Sequence, residues 1–166
     1  MRGAGVFSRA EMLLMCRWKS PRATLHYRRN GAATVRRVAQ AALATRSERR
    51  RMELLTTMRG VSVPTASAIL TLIDPRRYGV LDIRVWQLLF ALRSVRANPA
   101  GRGFTIGQWL DYLVLLRAHA RALGATCRGV EWALFRLHRD RQRGRLYDPP
   151  RRSARRQGLP SSARRS

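Results

Sequence analysis

Two features of this chain have residue types and spacing that could do chemistry together: a glycine turn, and an aspartate 22 positions after the glycine. The turn lies within Leu54-Leu55-Thr56-Thr57-Met58-Arg59-Gly60-Val61-Ser62-Val63-Pro64-Thr65-Ala66-Ser67-Ala68-Ile69-Leu70. A helix is expected to end at about Met58. Gly60 then supplies a backbone conformation that other residues avoid, Val61 plugs the turn into the core, and a second helix opens at Pro64. The small residues Ala66, Ser67 and Ala68 let a neighbouring element approach closely. So tight a junction leaves backbone N–H groups unpaired at the start of the second helix. Together with the helix dipole, they suit a phosphate. The aspartate, Asp82, stands in Tyr78-Gly79-Val80-Leu81-Asp82-Ile83-Arg84-Val85-Trp86, where a further helix is expected to begin. Asp is a good N-cap, so capping and chemistry are both open to it, and one carboxylate can do both.

A third cluster is Cys16-Arg17-Trp18-Lys19-Ser20-Pro21-Arg22, a basic segment around one tryptophan. It reads as a loop that grips a phosphate backbone, or more blandly as a solvated loop anchored by Trp18. His26, His119 and His138 are too dispersed for a metal site or a relay. Cys16 and Cys127 have no His or Cys at ligand spacing, so a disulfide framework, a zinc finger and a four-cysteine iron–sulfur site are excluded within the chain. No cofactor and no metal is expected. The cysteine usage is that of a reduced, cytoplasmic protein. The apolar run Met12-Leu13-Leu14-Met15-Cys16 is too short for a signal-peptide core, and no uncharged stretch is long enough for a membrane helix.

Charge narrows the partner. The chain has 166 residues, one domain's worth, with 34 basic and 9 acidic side chains and a net charge of +25. Every basic residue but Lys19 is Arg, whose planar fork of donors suits phosphate. Such a balance argues against a carboxylate-rich catalytic centre and attracts polyanions, chiefly nucleic acid.

The elements that must position these residues read as helices almost throughout. Ser8-Arg9-Ala10-Glu11, Thr45-Arg46-Ser47-Glu48 and Thr105-Ile106-Gly107-Gln108 have the form of capping boxes. The first opens a helix through about Arg17. Asn30-Gly31 signals a turn or cap. Stripes at helical spacing follow at Val35, Val38, Ala42 and Leu43, at Met52, Leu55 and Met58, at Ile106, Trp109, Leu110, Leu113 and Leu116, and at Val130, Ala133, Leu134 and Leu137. Asp82 precedes a helix to about Leu92. The expected fold is all-α, a compact domain of six or seven short helices over residues 1–140, with the hairpin at 54–73 and the aspartate-bearing segment at 80–92. Residues 141–166 hold nine Arg and one Asp and too little apolar surface to offset the entropy of ordering. They are expected to form a disordered basic tail.

The hairpin and the aspartate together resemble the helix-hairpin-helix DNA glycosylase superfamily, which includes endonuclease III, adenine glycosylase and 8-oxoguanine glycosylase. That family's hairpin reads Leu-Pro-Gly-Val-Gly before an Ala-rich helix, where this chain has Met58-Arg59-Gly60-Val61-Ser62 and then Thr65-Ala66. About twenty residues on, the family has a strand-like run ending in an Asp that opens a helix, matched here by Val80-Leu81-Asp82. The match covers roughly residues 48–92. Three departures stand out. Ser62 replaces the hairpin's second Gly, Val63-Pro64-Thr65 lacks the Lys of lyase-competent members, and the iron–sulfur cysteines are missing. With about 58 residues before the hairpin, part of the family's helical domain would be trimmed.

The resemblance implies a monofunctional DNA glycosylase-like enzyme of base-excision repair, acting on duplex DNA through phosphate-dominated contacts. Asp82 would stabilise the oxocarbenium-like sugar and orient water. Arg59, Gly60, Val61, Ser62, Val63, Thr65 and Arg84 would hold the DNA backbone. A flipped base needs aromatic walls; the candidate stackers are Trp18, Tyr27, Trp86, Trp109 and Trp132, and Trp18, Lys19, Arg22 and Trp86 make the candidate base pocket or loop. Lys19 is expected to be exposed, touching only phosphate. A monomer is expected, nucleoid-associated, binding RNA only non-specifically. The alternatives are a non-catalytic helix-hairpin-helix nucleic-acid-binding module and a basic structural protein whose tail matters more than its hairpin.

Overall fold

The computed structural model describes residues 6–142. The tail is expected from residue 141, but Arg141 ends the last helix; residues 143–166 lie outside the described residues. Among the described residues there are eight α-helices, one short 3₁₀ turn and no strand. The order is α1 (Arg9–Lys19), the 3₁₀ turn (Pro21–Ala23), α2 (Thr24–Arg28), α3 (Ala32–Ala44), α4 (Glu48–Thr56), α5 (Val63–Ile73), α6 (Ile83–Ala91), α7 (Ile106–Ala122) and α8 (Cys127–Arg141). The all-α expectation holds. The short α2 and the turn before it carry too few apolar positions to show as a stripe. None of these helices is long and apolar enough to cross a membrane.

Helix α5 is the centre of the packing. Every residue from Thr65 to Thr71 is buried, and the small side chains of Ala66, Ser67 and Ala68 let α1 and α4 close on it. Helices α6, α7 and α8 form the other half, with Trp86, Trp109 and Tyr112 fully buried among them. Tyr27 is likewise in the core, so Tyr27, Trp86 and Trp109 are structural and cannot stack a base. Trp86 follows the apolar stripe of α6 and donates through Nε1 to the carbonyl oxygens of Ala97 and Asn98.

The capping boxes at Ser8–Glu11 and Thr105–Gln108 are present with both reciprocal bonds. The third is not. Ser47, not Thr45, caps α4, accepting from the Arg50 N–H. Glu48 is drawn instead into an ionic hub, taking Arg51 at 2.5 Å, Arg117 at 2.7 Å, Arg77 at 3.1 Å and the Tyr78 hydroxyl at 2.8 Å. Burial works against its charge, but the hydrogen bonds from Arg117, Tyr78 and Arg51 prevail and hold the carboxyl below its usual range. Arg51, itself buried, also donates to Ala42 O and Thr45 O, satisfying carbonyls that end α3. The expected stripe of α8 is shifted as well: Cys127, Val130 and Glu131 are its buried residues, and Ala133 is exposed.

Candidate functional site: a cationic groove around Asp82

The junction of α4 and α5 has the turn expected of it. Gly60 has φ +81°, in the left-handed region. Its backbone is pressed onto α2: a Cβ there would stand 2.7 Å from His26 Cβ and 3.1 Å from the Tyr27 ring. Asn30, buried, clamps the same turn, donating to Arg59 O at 3.0 Å and accepting from the Arg59 N–H at 2.8 Å. Val61 and Val63 fill the core below. Gly60, Val61 and Val63 therefore shape the junction from within, and their side positions are not open to a phosphate. What the junction leaves open is the start of α5. Ser62 is its N-cap but makes no side-chain cap bond; its hydroxyl instead pairs with that of Thr65 at 3.1 Å.

Asp82 is brought to this point by the connecting segment Tyr78–Leu81, which three helices hold. Ser67 of α5 accepts from the Leu81 N–H at 2.8 Å. Tyr112 of α7 donates to Val80 O at 3.0 Å. Glu131 of α8 accepts from the Val80 N–H at 3.4 Å. Gly79 allows this close approach, because a Cβ there would lie 2.4 Å from Leu116 and 2.9 Å from Glu131. Glu131 is 2% exposed; burial pushes its carboxyl upward against the bond from Arg128.

The carboxylate of Asp82 is divided between two tasks. Oδ1 accepts from the Arg84 N–H at 2.9 Å and caps α6. Oδ2 faces Lys19 Nζ at 2.5 Å, both side chains 18% exposed. Lys19 ends α1, two residues beyond the expected helix end, and is not a solvent-exposed loop residue: the structure corrects that expectation. The pair sits in an open groove of about 440 Å³, between the start of α5 (Ser62, Pro64, Thr65) and the Gly101–Phe104 loop. Lys19, Arg22, Arg84 and Arg102 contribute positive charge against Asp82 alone among the charged lining residues. The aromatic walls are Phe104 and Phe135.

The groove thus joins Asp82, Ser62, Thr65, Lys19, Arg22 and Arg84, which the sequence reading singled out separately. Arg59 is exposed outside it. Trp18 is 53% exposed and lies beside Arg128, not in the groove. Sequence reasoning missed the Lys19–Asp82 pair, Phe104, Phe135 and the clamp by Asn30. A signal for the first existed: a single lysine in a chain otherwise basic through Arg alone. The two cysteines are buried, and burial pushes the Cys16 thiol up to about 12, so it is no nucleophile. Among the described residues no His, Cys, Asp and Glu cluster could hold a metal ion. No protein-family model, no curated protein and no solved structure matches the chain.

Proposed function

We propose that this chain binds DNA through its phosphates and hydrolyses the N-glycosidic bond of a nucleotide drawn into the groove, without a lyase step. The observation that supports this reading is that Asp82 lines an open cationic groove beside the uncapped start of α5, where a purely structural cap would be covered. In this reading a phosphate is held by the N–H groups at the start of α5 and by Arg22. The extruded base meets the aromatic lining residues Phe104 and Phe135. As the C1′–N bond breaks, its electron pair leaves with the base, and the Asp82 carboxylate offsets the positive charge growing on the sugar. Water then forms the C1′–O bond and passes its proton to Asp82. Lys19 balances the Asp82 charge and fixes the carboxylate's orientation. An arriving phosphate competes for its ammonium.

The reading is tested by incubating the protein with a panel of lesion-bearing and mispaired duplexes and measuring abasic sites. Affinity for random duplex should fall steeply with salt, as counterion release requires. Base release from one or more duplexes is the expected result. A non-catalytic nucleic-acid-binding module is the second reading, favoured by the fact that both Asp82 oxygens already have partners. Steep salt-dependent binding with no abasic product on any duplex would select it.

A further inference from the structure

One aromatic and cationic surface feature extends beyond the groove. Trp18, at the end of α1, and Trp132, in α8, are 53% and 45% exposed, although tryptophan buries more apolar area than any other side chain when a core can use it. The Arg128 guanidinium lies over both, 5.5 Å from the Trp18 ring and 5.2 Å from the Trp132 ring. Trp132 stacks in turn on Phe135, with centroids 5.5 Å apart and planes 7° from parallel. Arg84 lies over Phe135 at 5.7 Å. The five side chains form one ladder, Trp18, Arg128, Trp132, Phe135, Arg84, and its last two members line the groove that holds Asp82.

We propose that this ladder is a stacking track for an unpaired stretch of a DNA strand running out of the groove. The inference rests on the DNA-binding part of the function proposed above. Three features select this occupant. Trp18 and Trp132 keep about half of their surface open, and such flat rings suit bases, every one of which has a π-face. The Arg128 guanidinium, between the two indoles, and Arg84 at the far end offer donors to the phosphates that join those bases. Arg128 is held in place by Glu131, and Arg84 by Gln142 Oε1, so the track is ordered before a strand arrives. A paired duplex keeps its base faces covered and can use only the charges. The track therefore favours a strand already opened, as at a mismatch, a gap or a flipped nucleotide.

The test uses the full-length protein and three probes with equal numbers of phosphates: single-stranded oligothymidylate, an oligomer of abasic sugar phosphates, and a duplex. The general attraction of a +25 chain acts alike on the two single-stranded probes, so the ratio of their affinities isolates stacking, while the duplex reports the charges alone. Oligothymidylate should bind more tightly than the abasic oligomer, and should quench the tryptophan emission of the wild type, whose other two indoles, Trp86 and Trp109, are buried. Trp18→Ala and Trp132→Ala should each lower affinity for oligothymidylate by about fivefold to a hundredfold, the range for one lost stacking partner, and leave the abasic oligomer nearly unaffected. Trp132→Phe should restore most of the loss. Circular dichroism of the exposed-site variants should match the wild type. Equal binding of oligothymidylate and abasic oligomer by the wild type would overturn the track while leaving phosphate binding and base release intact. Equal loss of duplex and oligothymidylate affinity in Trp18→Ala and Trp132→Ala would also overturn it. Failure to bind any of the three would overturn the track and the DNA-binding reading together.

Discussion

Lys19 Nζ and Asp82 Oδ2 meet at 2.5 Å although 63 positions separate them in the chain. The contact joins two elements in the groove's lining: α1 supplies the cation, and the segment leading into α6 supplies the anion. It is built by two independent supports. The interior of α5, small and buried, brings α1 close. The bonds from Ser67, Tyr112 and Glu131 fix the segment that carries Asp82. A half-buried ion pair of this kind contributes little to stability on its own, because desolvation offsets most of the attraction. Its value is positional.

Asp82→Asn should separate chemistry from structure. Asn keeps the shape and can still accept from the Arg84 N–H, so the loss of stability should be about 1 kcal/mol or less. Removing the negative charge beside cations should leave DNA affinity equal or slightly higher. Abasic-site formation should fall by about a thousandfold, the scale for removing a group that stabilises transition-state charge. Equal losses in melting temperature, binding and base release would identify Asp82 as a structural cap only.

The amine of Lys19 invites a covalent route, in which Nζ attacks C1′, the base departs, and a Schiff base forms with the opened sugar. In the structure Nζ is committed to Asp82, and the first turn of α5 offers no amine. Borohydride reduction in the presence of abasic DNA should therefore trap no adduct, and product should remain uncleaved at the abasic site. An adduct that vanishes in Lys19→Ala, and survives blocking of the N-terminal amine, would make Lys19 the nucleophile.

Ser62 gives a cleaner probe of phosphate binding than Gly60. Any side chain at Gly60 meets His26 at 2.7 Å and an unfavourable positive φ, so Gly60→Val should unfold or badly destabilise the protein, by about 3 kcal/mol or more when strain and overpacking combine. The effect on DNA then says nothing about phosphate. Ser62→Asp places a favourable capping carboxylate at the uncapped start of α5, which should hold or raise stability by a few tenths of a kcal/mol to about 1 kcal/mol. The same charge repels a phosphate, so DNA affinity should drop about tenfold at low salt. Unchanged affinity in a stabilised protein would show that no phosphate binds there.

Much of this was legible in the sequence because it is local. Helix starts at Ser8 and Thr105, the left-handed Gly60, the buried plug Val61 and the entry of α6 at Asp82 all depend on residues a few positions apart. The errors arose where tertiary partners decided. Thr45 and Glu48 have capping-box spacing, but three arginines and a tyrosine claim the Glu48 carboxylate, and Ser47 takes the cap. The indole of Trp86 suggests base stacking, whereas the stripe of Val85, Trp86 and Leu89 on α6 places it in the core. Lys19 was far from the hairpin by number, and no periodicity records a contact across 63 positions. Phe104 and Phe135 reach the groove from a loop and from the flank of α8, outside any motif.

Glu48 makes the last prediction, on acid stability. Its carboxyl lies below the ordinary value of 4.5 in the folded protein, through the bonds from Arg117, Tyr78 and Arg51. A group whose folded pKa is depressed contributes stability fully above its unfolded value, and loses it as pH falls through the folded value. Stability should therefore decline as pH drops below about 4.5, set by the unfolded carboxyl. Glu131 acts with the opposite sign, because burial raises its carboxyl and its contribution is lost as pH rises. Glu48→Gln should remove the Glu48 part of the acid decline and leave buried Arg51 without its anion. The cost at neutral pH should be about 3 kcal/mol, towards the lower end for breaking a buried pair. Urea unfolding of both proteins between pH 3 and about 7 checks this. The wild-type and Glu48→Gln curves should converge as the pH falls, and a constant gap across the range would show that Glu48 is not ionised against its arginines in the native state.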